Sequence, residues 1–128
     1  MNHQRVIKFR VWDEKKMCYD NNPILVYPEE GLIRQGRIIQ QYTGQKDKNG
    51  REICEGDIIS IGFHVTHEHY GVVIFEYGSF LLLNPISGSL WPDTTYQLQN
   101  GYVYGNILEC PNLVSKWEKI KQNNKNAR

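Results

Sequence analysis

The densest gathering of reactive side chains in the sequence is His64-Val65-Thr66-His67-Glu68-His69. On an extended chain alternate residues share a face, so His67 and His69 point together and His64 points away. Two imidazoles at that spacing can share one zinc ion, with Glu68 or a distant carboxylate as a further ligand. A catalytic zinc usually has three protein ligands and one open position, and no motif of that kind runs through the chain. A polar loop or strand edge is therefore the expected role of the segment.

Other constellations resolve the same way. Asp47-Lys48-Asn49-Gly50 has the flavour of a calcium loop, but the acidic and amide residues needed at later fixed offsets do not line up. Glu55 and Asp57 are two carboxylates two residues apart; acid–base work needs them across a cleft, whereas such a pair more often frames a turn. Cys18, Cys54 and Cys110 are odd in number and widely spaced, with no Cys-x-x-Cys pair. They read as reduced, packed thiols, and nothing links a histidine base to any of them. The phosphate-loop, dinucleotide and nucleophile-elbow motifs are all missing. The expectation is a protein that is not an enzyme, with no catalytic residue, no cofactor and no metal.

The chain has 128 residues, 40% hydrophobic and 23% charged, which fits one soluble domain rather than a disordered one. Its apolar runs, Phe80 to Leu83 among the longest, are far too short for a membrane helix, and Met1 to Lys8 lacks the apolar core of a signal peptide. Residues 1–115 carry ten Lys/Arg against thirteen Asp/Glu, net −3. Residues 116–128 carry Lys116, Lys119, Lys121, Lys125 and Arg128 against Glu118, net +4. An acidic body suits phosphate backbone poorly; the basic tail alone could touch nucleic acid.

The elements that position these residues are mostly short strands. Arg5 to Trp12 alternates, with Ile7, Phe9 and Val11 on one face. Met17-Cys18-Tyr19 can return beside it. Ile24–Tyr27 and Leu32–Ile33 are short apolar pieces, and Arg37 to Tyr42 is another strand. Asn49-Gly50 marks a hairpin. A three-residue loop, Lys48-Asn49-Gly50, sets Asp47 opposite Arg51 and Lys46 opposite Glu52, both attractive, and puts Gly50 where a left-handed residue is needed. Glu55-Gly56-Asp57 turns into a strand at Ile58–Ile61. Gly71–Tyr77 and Phe80–Asn84 make a second hairpin, with Gly78-Ser79 as its turn and Tyr77 facing Phe80. Residues 85–95 form a loop in which Trp91, flanked by Pro92 and polar neighbours, can either serve at the surface or fill the core. Gly101 to Leu108 is the last strand. From Pro111, Leu113, Val114, Trp117 and Ile120 recur at helical spacing, so a helix is expected near 111–121 with a disordered basic tail at 122–128. The pattern predicts a mainly β fold: a small barrel or roll of short antiparallel strands with a C-terminal helix.

Several segments together resemble a known family. They are Ile7-Lys8-Phe9-Arg10-Val11-Trp12-Asp13, then Gln41 to Ile53, then Glu55-Gly56-Asp57-Ile58-Ile59, Gly71-Val72-Val73, Gly105-Asn106-Ile107 and Pro111-Asn112-Leu113. In this order they are similar to the YopX family of phage and prophage proteins, over about residues 7–114. Cys54 and Cys110 depart from that pattern. The resemblance implies an SH3-like barrel and a phage or prophage gene; it implies no activity and no site residue. The leading expectation is a non-enzymatic binding or assembly module in the host cytoplasm, with a protein partner or a second copy of itself and no membrane. The alternative is a nucleic-acid-binding protein that uses barrel aromatics (Tyr70, Tyr77, Phe80, Trp91, Tyr96, Tyr102, Tyr104) and the basic tail. A hydrolase using His64, His67 and His69 comes third.

Overall fold

A computed structural model describes residues 7–14, 18–19, 37–61 and 69–126. Strands β1 (Phe9–Asp13), β2 (Cys18–Tyr19), β3 (Arg37–Lys46) and β4 (Glu52–Cys54) form an antiparallel sheet in the order β2-β1-β3-β4. Strands β5 (Asp57–Ser60), β6 (Tyr70–Glu76), β7 (Ser79–Leu83) and β8 (Tyr102–Asn106) form a second in the order β7-β6-β5-β8. Helix α1 (Thr94–Asn100) precedes β8, and helix α2 (Pro111–Asn126) follows it. The chain is thus mainly β with a C-terminal helix. Among the described residues no ladder joins the two sheets, so their pairing is that of two open sheets and not of a closed barrel. Among those residues, too, no helix is long and apolar enough to cross a membrane.

The second sheet is covered on both faces, which explains its doubled apolar residues. Ile59, Val73, Leu82 and Val103 turn to one side and pack with Ile53 and with Leu98 of α1. Ile58, Tyr70 and Val72 turn to the other and pack against Trp117 of α2, with Leu113 and Val114 beside it. Each such aliphatic side chain contributes about 1.5–3 kcal/mol on burial. The single-face alternation expected for β1 does not hold. Ile7 is 58% and Phe9 39% exposed, while consecutive Val11, Trp12 and Asp13 are all buried. Neighbours on opposite faces can all be buried only where both faces are covered, as they are at the inner end of β1.

The first hairpin has the predicted register. Lys46 lies opposite Glu52, the Asp47 N–H donates to the Arg51 carbonyl at 2.9 Å, and the Gly50 N–H donates to the Asp47 carbonyl at 3.0 Å. Gly50 sits at φ +82°, the left-handed position of a glycine bulge. The second hairpin turns one residue earlier than predicted. Glu76 pairs with Ser79 and Phe75 with Phe80, leaving Tyr77-Gly78 as the loop. Both loop residues have positive φ (54° and 77°), the signature of a type I′ turn instead of the expected type II′. The observed register seats Val73 opposite Leu82, both fully buried, and that core match outweighs the Tyr77–Phe80 pair.

Both helices depart from expectation. Thr94–Asn100 is helical, although the sequence marks a loop as far as Thr95 and no element over 96–100; Leu98 is its one buried residue, too little for a periodic signal. Helix α2 runs on through Asn126, so residues 122–126 are helical where a disordered tail was expected. The apolar pieces at 24–27 and 32–33 lie outside the described residues.

Candidate functional site

The carboxylates singled out in the sequence are brought into structural bonds. Asp57 is fully buried; its Oδ1 accepts from Arg10 Nη2 and, at 3.0 Å, from Asn106 Nδ2, and its Oδ2 accepts from the Cys54 N–H at 2.7 Å. Gln40 and Asn106 face one another amide to amide, at 3.2 and 3.1 Å, and Arg10 Nε reaches Gln40 Oε1 at 3.2 Å. Arg10 and Gln40 belong to the first sheet, Asp57 and Asn106 to the second, so this buried polar cluster fastens the sheets together. Gly56, at φ +80°, lets it form: a Cβ there would run into the Gln40 side-chain amide. Glu55 points away, its carboxylate accepting from the Gln41 N–H at 3.0 Å. Glu55 and Asp57 are therefore not two carboxylates facing across a cleft.

Asp47 is likewise buried and serves the backbone. Its Oδ1 accepts from Asn49 N–H at 2.9 Å and Arg51 N–H at 2.8 Å, and its Oδ2 from Val103 N–H at 2.8 Å. The turn predicted from charge pairing is thus held by one carboxylate that also fastens the hairpin to β8. Glu52 forms an ion pair with Lys8 at 2.7 Å, not with its cross-strand neighbour Lys46.

Of the histidines, His64 and His67 lie outside the described residues. His69 is half-buried, and its carbonyl accepts from the Ile61 N–H at 2.6 Å. Among the described residues no three His, Cys, Asp or Glu side chains gather to hold a metal. Burial pushes the Cys54 thiol up to about 11, so it is protonated near neutrality and a poor nucleophile. Trp91, open in the sequence between surface and core, packs against the core, and its indole N–H donates to the Tyr70 carbonyl at 3.1 Å. The bridge between Leu83 and Leu90 folds this loop back over β7 and carries Trp91 inward.

Sequence reasoning missed two surface features. The β6–β7 tip projects Phe75, 48% exposed, and Tyr77, 94% exposed. Phe75 stands edge-on to Phe80, with ring centroids 4.9 Å apart. Tyr77 is in left-handed backbone, an unfavourable place for a bulky side chain, where Asn or Gly is preferred. The second feature is a recess of about 300 Å³ across β1, β3 and β4, lined by Lys8, Phe9, Arg10, Tyr42, Arg51, Glu52 and Cys54. Lys8 lies over the Tyr42 ring, 5.6 Å from its centroid. Only the fold brings these residues from three strands into one row.

The family model described as YopX protein matches residues 20–115. The crystal structure of protein EF1440 from Enterococcus faecalis resembles this chain with a TM-score of 0.62 and 24% identity, covering 87% of this chain and 99% of that one. At that identity the likeness speaks for the fold alone. No curated protein matches the chain.

Proposed function

The chain belongs to the YopX family, and from that premise we propose that it is a phage or prophage accessory protein: a non-enzymatic binding module of the host cytoplasm that engages a protein partner through the β6–β7 tip. The carrying observation is Tyr77, 94% exposed on strained backbone at the end of a hairpin. The type I′ turn needs left-handed backbone at this position, but a tyrosine in place of Asn or Gly costs about 1–2 kcal/mol and, at 94% exposure, adds no core packing in return; such outliers concentrate at functional sites. Tyrosine is also among the residues that most often anchor interfaces. The carboxylates of Asp47, Glu55 and Asp57 are committed to structural bonds, which supports a role without catalysis. In this reading the two sheets are the halves of an SH3-like barrel or roll, fastened by the Arg10, Gln40, Asp57 and Asn106 cluster.

Photo-crosslinking tests the tip. Tyr77→p-benzoylphenylalanine in cells carrying the phage genes is expected to give a discrete protein adduct, and the same replacement at exposed Glu109 is not. Equal adduct patterns at both positions would defeat the reading.

A second reading, nucleic-acid binding, is favoured by α2, where Lys116, Lys119, Lys121 and Lys125 are all exposed on a continuous helix. It predicts affinity that falls steeply with salt. Deleting residues 116–128 would remove buried Trp117 and confound the test, so the four lysines are better changed to glutamine. Unchanged binding to single-stranded DNA in that variant removes this reading.

A further inference from the structure

The recess across β1, β3 and β4 has a chemistry of its own. Lys8, Tyr42 and Cys54 fall in one row across the sheet, because the Tyr42 N–H donates to the Lys8 carbonyl at 2.8 Å and Tyr42 pairs with Cys54. Three of the ten Lys/Arg of residues 1–115 line this one recess, against a single carboxylate, in a body whose net charge is −3. That carboxylate, Glu52, is engaged by Lys8, and Arg10 is turned toward Asp57 and Gln40. Arg51 differs. Its backbone is fixed on both sides by Asp47, while among the described residues its guanidinium meets no acceptor. Phe9, 39% exposed, supplies an apolar wall.

We propose that this recess binds a small oxyanion carried on an aromatic body, the phosphate or carboxylate meeting Arg51, the ring resting on Phe9, and Lys8, whose ammonium spends one of its three donors on Glu52, offering a further N–H. A guanidinium is the side chain best shaped for either oxyanion, since it donates two parallel hydrogen bonds. A volume near 300 Å³ lies at the small end of ligand sites and suits one ring and one anionic group. The site is independent of the Tyr77 tip.

The test is an amide-shift titration of the intact chain at constant ionic strength with phenyl phosphate, benzoate, inorganic phosphate and phenol. Saturable shifts are expected at Phe9, Arg10 and residues 51–54, with phenyl phosphate or benzoate at least several-fold tighter than phosphate or phenol. Saturation by phenyl phosphate alone assigns a phosphate ligand; saturation by benzoate alone assigns a carboxylate. Arg51→Gln, an exposed change that keeps the hairpin, should weaken binding about tenfold, the loss of one charge-assisted hydrogen bond. No saturable shift, shifts centred elsewhere, phenol binding as well as the anions, or an unaffected Arg51→Gln protein would each overturn the proposal.

Discussion

Asp57 binds an arginine, a backbone N–H and an asparagine with two oxygens; its carboxylate and Asn106 are fully buried, and Arg10 is partly so. Asp57→Ala would leave Arg10 and Asn106 short of their acceptor, and the expected loss is about 3–5 kcal/mol by denaturant unfolding. Asp47→Ala strands three N–H groups and should cost at least about 2 kcal/mol. Cys54 sets a pH dependence. Its folded value, about 11, is above the ordinary 9.0, so the folded protein holds that proton more tightly than the unfolded chain. Stability from this group is complete below pH 9 and is lost as pH rises toward 11. Tyr70, pushed up to about 12 by burial and by Tyr104, extends the decline. Unfolding curves from pH 8 to 11 should show a falling midpoint, and Cys54→Ala should flatten the part that starts near pH 9. At this scale the sequence was informative about Gly50, because a left-handed glycine follows from local geometry. It placed Asp47 beside Arg51 but was silent about its partner on β8, Val103, 56 residues away.

The elements show where periodicity speaks and where it does not. Helix α2 was readable from Leu113, Val114, Trp117 and Ile120, because a packed face repeats. Its last turns were not, since all of residues 121–125 are exposed and no core contact marks them. Removing 122–128 is accordingly expected to change stability by less than about 0.5 kcal/mol in thermal unfolding. Trp117 is different again: its buried indole N–H has no partner among the described residues. Trp117→Phe keeps most of the packing and relieves that group, so its cost should be well below the about 3–5 kcal/mol expected for Trp117→Ala. The β6–β7 register was missed because Gly78 alone fits two turn types. The choice was made by Val73 meeting Leu82, a contact that turn chemistry does not encode.

For the whole molecule, the division of labour lies between a sealed interior and a few outward features. Both outer edges of the second sheet are occupied at points: the Val103 N–H on β8 donates to Asp47, and the Leu82 carbonyl on β7 accepts from the Trp91 N–H. Strand addition at those two points is obstructed, which fits the proposed reading in which the hairpin tip makes the contact. The mainly β class was legible from short strands and glycine turns. The way two sheets meet over Arg10, Gln40, Asp57 and Asn106 was not, because those residues lie far apart in sequence. The most direct measurement pairs stability with capture for Tyr77→Asn. Asparagine suits left-handed backbone, so the variant should be more stable by about 1 kcal/mol, a midpoint about 2–8 °C higher, yet should no longer retain the protein partner that the proposed function expects the parent to capture from cells carrying the proposed phage genes. Partner retention equal to the parent's, in a variant so stabilised, would contradict the account.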